Sequence, residues 1–426
     1  MKRVLIVAPH FPPVDSPDGH RARLILPYLK SLGWDAAVLA VKPQFGEFGQ
    51  EPLLEATLPA GLMVRRTGAF SSRWTKKLGV GSLGFRSLPH LLRGGNEMIR
   101  AWRPDLIYFA TTVFPCVALG RVWRWRFDIP YVVDLQDLWV SDYRKANPLA
   151  AGTKHAAALR IQQALERWTM PRAAGLVAVS GAYIETMRER YPRLREVPAE
   201  TLPFGGEARD FEVVRQHPAS NRFFRKGDGL LHGVYAGRAG ADMHTALRTI
   251  LTALRAGLAE HPQLFGRIRL HFVGTDYAPS GRERWWVRPM AEELGVAGQV
   301  DEHPLRISYM ETLRLLDDAD FLLVPGSDDP QYTASKIFPY ILAEKPLLAL
   351  FQPTSSVWRI VTETGAGTVL EPGVSVGEFL RHWTALLQPE AAAGYRREAF
   401  AAYTAEAMAR RHVTLFEKVL HREQRA

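Results

Sequence analysis

Residues 319–350, ADFLLVPGSDDPQYTASKIFPYILAEKPLLAL, decide the fold of this chain. One apolar run of strand length, residues 319–324, precedes a Pro-Gly pair, and a second run, residues 346–350, closes the stretch. Between the runs lie a polar loop and apolar residues at helical spacing, including Ile337, Phe338 and Ile341. A strand, a loop, a helix and a second strand are the repeating unit of a doubly wound α/β sheet.

Lys336 is predicted to lie in the first turn of that helix. A cation at this place opposes the helix dipole, which favours anions at the N-terminus. The conflict disappears if the lysine and the free backbone amides share an anionic ligand such as a phosphate. The position of Lys336 is therefore the first indication of function.

The same alternation of apolar strands and amphipathic helices runs through the rest of the chain. It predicts two Rossmann-like halves that meet near residues 203–206, with an irregular stretch over residues 203–228. In such sheets the ligand crevice lies at the carboxyl ends of the strands. The predicted strands are residues 4–8, 36–41, 106–109, 131–133, 175–179, 231–236, 268–273, 321–324 and 346–350, and the predicted helices include residues 155–168, 244–258, 309–316 and 405–420.

Composition limits the classes of function. A chain of 426 residues is too long for one hydrophobic core and suits two domains. The net charge of +10 indicates an anionic partner, either nucleic acid, a membrane surface or a phosphorylated substrate. Cys116 is the only cysteine, which excludes an intrachain disulfide and disfavours a cysteine-based zinc site. These features indicate a protein of the reducing cytoplasm.

Membrane contact is expected only at the periphery. The first apolar run is shorter than a signal-peptide core and stops at proline, and no apolar stretch reaches the roughly 18 residues of a membrane span. Residues 71–95 combine basic and apolar side chains with no acidic residue. Two interpretations of this stretch stay open: peripheral contact with the inner face of a membrane, or packing of a loop and helix on their own domain.

The loops that follow the predicted strands carry the candidate site residues. Residues 9–19 end in a glycine just before a helix, where the Gly19 amide can approach a phosphate. Gly237 and Arg238 follow the strand at residues 231–236, and the guanidinium fork suits phosphate oxygens. The alternative for Arg238 is a surface arginine paired with Asp242. The dinucleotide fingerprint G-x-G-x-x-G is absent after the first strand, which counts against a dehydrogenase.

Arg238 and Lys336 belong to two loops at the same edge of one predicted sheet. Two converging cations stabilise the negative charge that develops on a departing diphosphate, and this lowers the barrier directly. A third loop at that edge contains Gly274 and Thr275, which permit close approach of the backbone.

Several motifs resemble the retaining glycosyltransferases of family 4. The most specific match is SKIF-x-Y followed by KPLLA, over residues 335–349. The resemblance covers nearly the whole chain and includes YVVDLQDLW (131–139), AGLVAVSGAY (174–183), LPFGGEARDF (202–211), YAGR (235–238) and FVGT (272–275).

The resemblance implies an α/β protein of the GT-B fold, with two Rossmann-like domains facing each other across a cleft. Residues 1–205, joined by the C-terminal helix 402–426, would form the acceptor-side domain, and residues 206–401 the sugar-nucleotide-binding domain. It also implies retaining, hexosyltransferase-like transfer from a nucleotide-diphosphate sugar to a glycan, lipid-linked or small-molecule acceptor, as in polysaccharide biosynthesis. The donor is a substrate, and neither a cofactor nor a metal is expected.

The resemblance also implies roles for individual residues. Arg238 and Lys336 match the family's diphosphate-binding arginine and lysine. Asp137 would orient an acceptor hydroxyl on the other domain, although a helix cap or a salt bridge is an equal alternative. Asp328 with Asp329 is a poor metal pair, because adjacent aspartates are common in turns. Donor contacts are expected from Gly19, Gly237, His244, Gly274, Thr275, Arg306, Ser327, Asp328, Tyr332, Thr333 and Ser335.

The sequence departs from the family at the donor site. The family's two glutamates, eight positions apart, fall on Gln331 and Pro339, and the histidine that precedes an aspartate is Gln136. Asp328, Asp329 and Tyr332 would then contact the sugar instead. An alternative function is therefore a catalytically weakened sugar-nucleotide-binding or partner protein. A nucleic-acid-binding protein lacks support, since no basic-aromatic repeat or finger spacing is present.

Overall fold

Two parallel β-sheets organise the chain in this computed structural model, which describes residues 1–75, 81–140, 153–217, 221–276, 278, 281–329, 335–388 and 395–425. The chain divides into two units, Met1–Gly205 with Ala405–Ala426 and Gly206–Thr404. Each unit contains one sheet with helices around it, and the predicted pair of Rossmann-like domains is confirmed.

The sheet of the first unit has the strand order β3-β2-β1-β4-β5-β6-β7, and all of its pairings are parallel. Its strands are β1 (Lys2–Val7), β2 (Trp34–Val41), β3 (Met63–Thr67), β4 (Leu106–Phe109), β5 (Tyr131–Leu135), β6 (Gly175–Ala178) and β7 (Ala199–Thr201). The described helices longer than four residues that follow these strands in sequence are α1 (Gly19–Leu29), α2 (Leu83–Trp102), α3 (Ala118–Phe127), α4 (Thr153–Thr169) and α5 (Gly181–Arg190).

The sheet of the second unit has the order β10-β9-β8-β11-β12-β13, again with parallel pairings. Its strands are β8 (Leu231–Ala236), β9 (Ile268–Val273), β10 (Val300–His303), β11 (Phe321–Pro325), β12 (Leu347–Leu350) and β13 (Thr368–Leu370). The described helices longer than four residues are α6 (Ala208–Gln216), α7 (His244–Glu260), α8 (Arg288–Glu293), α9 (Tyr309–Asp318), α10 (Ile337–Leu342), α11 (Ser356–Thr364) and α12 (Val376–Leu386). The last helix, α13 (Ala405–Glu423), belongs to the first unit.

Both faces of the first sheet are buried, which explains why its strands are continuous apolar runs. Because side chains alternate along a strand, Leu5 and Val7 enter one core while Val4 and Ile6 enter the other. The C-terminal helix α13 closes the second of these cores. There the Phe416 ring lies 5.4 Å from the Trp34 ring, measured between centroids.

The stretch after the first unit is less irregular than the sequence indicated, because α6 lies within residues 203–228. Phe211 and Val214 are one turn apart and buried, and the Glu207 side chain accepts a hydrogen bond from the Arg209 amide at the start of the helix. Only two of the apolar residues in this nine-residue helix are buried, and so short an apolar face was too weak a periodic signal to predict the helix from sequence.

The basic stretch 71–95 packs on its own unit where the structure describes it, and residues 76–80 lie outside the described residues. Leu83 and Leu91 of α2 are buried in the core, and Leu88 and Leu92 pack against it. The Arg86 side chain is buried and donates hydrogen bonds to the carbonyls of Gly81, Phe70 and Phe45. The apolar face of α2 is therefore used within the domain.

Across the described ranges of the chain, no helix has the combined length and apolar character that a membrane crossing requires.

Candidate functional site

The carboxyl ends of β8 and β11 bring two of the predicted site residues together in the second unit. Gly237 follows β8 with φ +153°, a conformation that favours glycine. A Cβ atom at this position would lie 2.4 Å from the Lys336 Nζ and 3.2 Å from its Cδ. The absence of a side chain at Gly237 therefore lets Lys336 lie against the loop after β8.

Lys336 occupies the N-cap position of α10 rather than its first turn, since the helix begins one residue later. Its half-buried ammonium donates a hydrogen bond to the Tyr235 hydroxyl and lies 4.4 Å from the centre of that ring. Burial, and secondarily the nearby Arg238 charge, lower the pKa of Lys336 to about 7, while Asp242 acts in the opposite direction. Within the described residues, no carboxylate forms an ion pair with Lys336.

Arg238 forms the ion pair that the alternative interpretation predicted. Its two terminal nitrogens donate to the two carboxylate oxygens of Asp242, at 2.9 and 2.7 Å. Hydrogen bonding from Arg238 lowers the pKa of Asp242 to about 2 despite partial burial, with a further contribution from Ser327. The pair is partly accessible, with 27% of the Arg238 side chain and 38% of the Asp242 side chain exposed. An anion that binds Arg238 must therefore share the guanidinium with Asp242.

The loop after β11 is tied to the loop after β8 through Asp242. The Ser327 hydroxyl donates to the Asp242 carboxylate at 2.7 Å, and the Asp328 amide donates to the Asp242 carbonyl at 2.6 Å. The Thr245 hydroxyl in the first turn of α7 donates to the Asp328 carboxylate at 3.2 Å. Ser327 and Asp328 thus position the two loops, in addition to the donor contacts predicted for them.

Gly274 and Thr275 lie at the end of β9. Gly274 has φ +74°, and an added Cβ would lie 3.8 Å from the Cα of Arg306, whose side chain is exposed. Thr275 is fully buried, and its hydroxyl donates to Glu302 at 2.6 Å. The Thr275 hydroxyl is therefore used within the protein, while its carbonyl accepts from the Ala239 amide at 2.8 Å.

The other predicted donor residues differ in their surroundings. His244 is exposed at the start of α7, and Ser335 is exposed directly before Lys336. Tyr332 and Thr333, together with Gln331, lie outside the described residues. Pro339 is the third residue of α10, so the place of the family's second glutamate holds no acidic group.

The two predicted site residues of the first unit, Gly19 and Asp137, have different surroundings. Gly19 is the first residue of α1, and an added Cβ would lie 2.5 Å from the His10 carbonyl oxygen. This glycine is required by packing inside its own loop. Asp137 is exposed, and its carboxylate accepts a hydrogen bond from the following amide, that of Leu138, at 2.8 Å. Among the helices of the described chain, none begins at Asp137, so it caps none.

A buried ion pair in the first unit was not predicted from the sequence. The Arg21 guanidinium, with 1% of the side chain exposed, donates to the fully buried Asp134 at 3.0 Å. Arg21 also donates to the carbonyls of Leu202 and Pro203, at 2.8 and 2.6 Å. Burial raises the pKa of Asp134, although Arg21 and the Gln136 amide, which donates at 2.8 Å, oppose this. Gln136 therefore supports a buried carboxylate.

Tyr235 and Tyr340 are the residues near Lys336 whose roles were not predicted from the sequence. The Tyr340 hydroxyl accepts from the Ala236 amide at 2.6 Å and donates to the Ala236 carbonyl at 3.1 Å. These bonds attach α10 to the end of β8. The spacing of four residues between Arg238 and Asp242 was the signal for their pair, whereas the two tyrosines gave none.

The sheet orders and the loop geometry define a two-domain Rossmann-like protein of the GT-B class. Solved structures of this architecture align with nearly the whole chain at low identity, which shows the fold. Sucrose-phosphate synthase from Thermosynechococcus elongatus is 16% identical, with 99% of this chain and 100% of that chain covered and a TM-score of 0.59. A glycosyltransferase from Rickettsia africae ESF-5 is 12% identical, with 98% of both chains covered and a TM-score of 0.56. The UDP-GlcNAc 2-epimerase from Methanocaldococcus jannaschii is 11% identical, with 98% and 99% covered and a TM-score of 0.53.

Residues 19–205 match the family model described as the glycosyl transferase 4-like domain. The match lies within the first unit and agrees with the resemblance that the sequence motifs indicated. No curated protein matches the chain.

Proposed function

We propose that this protein is a glycosyltransferase that moves a sugar from a nucleotide-diphosphate donor to a hydroxyl of a glycan, lipid-linked or small-molecule acceptor, with retention of the anomeric configuration. The second unit would bind the donor and the first unit the acceptor. The observation that carries the proposal is Lys336, a lysine with a pKa near 7 placed beside Arg238 at the carboxyl edge of a parallel sheet. The family match in the first unit supports the same class of reaction.

The chemistry follows from the charge of the leaving group. When the bond between the anomeric carbon and the diphosphate breaks, negative charge develops on the diphosphate oxygens, and nearby cations lower the barrier. Lys336 lies where water solvates its charge poorly. A bound anion would stabilise the ammonium and so offset the solvation that is lost on burial. Arg238 would bind the same anion by sharing its fork between the phosphate and Asp242. The reaction needs no cofactor or metal in this scheme.

The remaining predicted residues would complete the donor site. Gly237 admits the phosphate close to the backbone, and Ser335, directly before Lys336, would add a hydrogen bond. His244 at the start of α7 and Arg306 near Gly274 would contact the nucleotide or sugar. In the first unit the exposed Asp137 would orient the acceptor hydroxyl. The phosphate contact predicted for Gly19 would require its amide to give up its hydrogen bonds to Ser16.

A weakened sugar-nucleotide-binding or partner protein is the second candidate. Pro339 in place of an acidic residue and the direct Arg238–Asp242 pair favour it, because both reduce the polar groups free to hold a sugar. Donor binding without turnover against a broad acceptor panel would select this alternative.

The first test is thermal unfolding with a panel of uridine, guanosine and adenosine diphosphate sugars. A bound donor raises the unfolding temperature by an amount that grows with the logarithm of the ratio of its concentration to Kd. With the donor so found, Arg238→Ala and Lys336→Ala should each reduce turnover by roughly 100-fold. Arg248→Ala and Lys345→Ala are matched controls, since Arg248 pairs with Glu293 and Lys345 is a half-buried lysine outside the two loops. Full activity in both site variants would refute the site.

A cytoplasmic location and peripheral contact through residues 71–95 belong to the same proposal. The described groups available for contact are Arg73, Arg93 and the neighbouring Phe70, which is 52% exposed. In vesicle flotation, phosphatidylglycerol should retain the protein better than phosphatidylcholine, and the Arg73→Ala, Arg93→Ala variant should lose part of that retention. Trp125→Ala is the control, because Trp125 is 86% exposed on α3 outside this stretch. Equal retention by both lipids would contradict the contact.

A further inference from the structure

His10 and Asp18 form a side-chain pair in the loop between β1 and α1, and none of the roles assigned above uses it. The imidazole Nδ1 lies 3.1 and 3.2 Å from the two oxygens of the Asp18 carboxylate. Only 10% of the His10 side chain and 4% of the Asp18 side chain remain exposed. The Asp18 carboxylate therefore contacts one ring nitrogen of this buried histidine, and such a contact selects one tautomer of the ring.

Asp18 is held as a carboxylate from several directions. The Thr111 hydroxyl donates to it at 3.0 Å and the Thr112 amide at 3.2 Å, both from the segment just after β4. Burial alone would raise its pKa, but the hydrogen bond and charge of His10, with bonds from Ser16 and Thr112, lower the pKa to about 2. The carboxylate is therefore charged throughout the neutral pH range and accepts hydrogen bonds only.

The geometry fixes the state of the imidazole. Because Asp18 can only accept, Nδ1 carries the hydrogen, and in the neutral ring Nε2 carries the lone pair. No described residue forms a hydrogen bond with Nε2, and His10 lies in the loop that follows the carboxyl end of β1. The Phe48 ring, itself 36% exposed, stands at 80° to the imidazole with 5.0 Å between centroids.

We infer that His10 is an acceptor-binding residue: its Nε2 accepts a hydrogen bond from a hydroxyl of a polyhydroxylated acceptor, with Asp18 as the positioning residue and Phe48 as the adjoining apolar surface. The inference deepens the proposed function and rests on it. An open imidazole nitrogen beside an aromatic ring suits a saccharide or polyol, which presents hydroxyls together with C–H groups. The hydrogen bond orients the nucleophilic oxygen before the sugar is transferred.

The first experiment tests the open nitrogen without any substrate. Diethyl pyrocarbonate acylates accessible, unprotonated imidazole nitrogens, and mass spectrometry locates the modified peptides. His10 should be modified together with the exposed His421, whereas His412, whose two nitrogens bond to Tyr108 and Met408, should not. An unmodified His10 under conditions that modify His421 fully would overturn the inference, and this outcome says nothing against the donor site.

The second experiment uses the donor found by thermal unfolding, with glycerol and methyl glycosides as acceptors and water as the background acceptor. The His10→Asn variant retains an amide that can donate to Asp18 but lacks the Nε2 acceptor. We expect a roughly tenfold higher KM for the added acceptor, as for loss of one hydrogen bond. Donor-induced stabilisation should stay at the wild-type value, and His421→Asn should resemble the wild type.

The Asp18→Asn variant separates positioning from folding. Its amide can donate to Nδ1, which moves the ring proton to Nε2 and converts that atom from an acceptor to a donor. The KM for the acceptor should rise while donor stabilisation stays at the wild-type value. A loss of donor stabilisation in parallel would indicate a merely structural pair and overturn the inference. The inference would also be overturned if neither glycerol nor methyl glycosides increased the turnover of the wild type. If no diphosphate sugar stabilises the wild type, it is the proposed function that fails.

Discussion

The two units place a cation at the same edge of a similar sheet and treat its charge in opposite ways. In the first unit Arg21 is 1% exposed, bonds to the fully buried Asp134 and satisfies two further carbonyls. In the second unit Arg238 is 27% exposed, and Lys336 contacts a tyrosine rather than a carboxylate within the described residues. A charge neutralised inside the protein fixes the fold, whereas the Lys336 charge, which has no carboxylate partner among the described residues, is available to a ligand.

The largest expected effect comes from removing the buried cation. Arg21→Met leaves Asp134 as an unpaired buried carboxylate and removes two bonds to the chain at residues 202–203. We expect the free energy of unfolding of the first unit to fall by about 3–5 kcal/mol. Hydrogen exchange of peptides from β1, β4 and β5 measures this loss separately from the second unit.

The matched variant in the other unit sharpens the comparison. Arg238→Met breaks a partly exposed pair, so it should change unfolding by about 1 kcal/mol or less. The same variant should remove most of the stabilisation that a diphosphate sugar provides. Equal destabilisation by Arg21→Met and Arg238→Met would show that the two cations do not differ in the way proposed.

Acid should destabilise both units through one buried histidine in each. Burial, and then neighbouring positive charges, lower the pKa of His412 in the first unit and of His271 in the second to about 3. Between pH 6.5 and pH 3 the unfolded chain binds a proton that the folded chain does not, so stability falls as pH falls. The slope is at most about 1.4 kcal/mol per pH unit for each histidine, and it fades as pH rises through about 6.5, where the unfolded histidine loses its proton.

Hydrogen exchange at pH 7 and pH 5 resolves the two contributions. His412→Gln keeps an oxygen that can accept from the Tyr108 hydroxyl and removes the titrating group. The acid sensitivity of the first unit should then weaken while that of the second unit stays. A variant with unchanged acid sensitivity in the first unit would assign the effect to other groups.

The strands that the sequence predicted are the inner strands of the two sheets. Their apolar runs arise because both faces are covered, as in residues 4–8 and 321–324. The strands that it missed are the four at the sheet edges: β3, β7, β10 and β13. Edge strands keep one side in contact with water, so Met63–Thr67 alternates exposed and half-buried residues and contains two arginines. No apolar run marks such a strand.

At the site, the positions of the two cations could be predicted from the sequence, but the contacts around them could not. Arg238 and Lys336 follow strands whose apolar runs are clear, so their placement at one sheet edge followed from topology. The Tyr235–Lys336 and Tyr340–Ala236 bonds join residues about a hundred positions apart and depend on how the loops fold. The pair of His10 with Asp18 depends likewise on the turn that returns the loop to α1. Spacing alone does not encode these contacts.

The smallest predicted effect concerns the pH dependence of donor binding. It tests whether the charge of Lys336 serves to bind the ligand. The pKa of Lys336 is about 7 in the ligand-free protein, so above pH 7 the neutral amine predominates. A diphosphate binds the ammonium form, so Kd for the donor should rise above pH 7, by at most tenfold per pH unit, and stay level below it. Calorimetry between pH 6 and pH 9 measures this slope.

Lys336→Met should bind more weakly with a flat profile, because the titrating cation is gone, while Lys345→Met keeps the wild-type slope. If Lys336→Met retained the slope, the proton taken up on binding would belong to another group. The Lys336 charge would then serve the fold of the second unit, as the Arg21 charge serves that of the first.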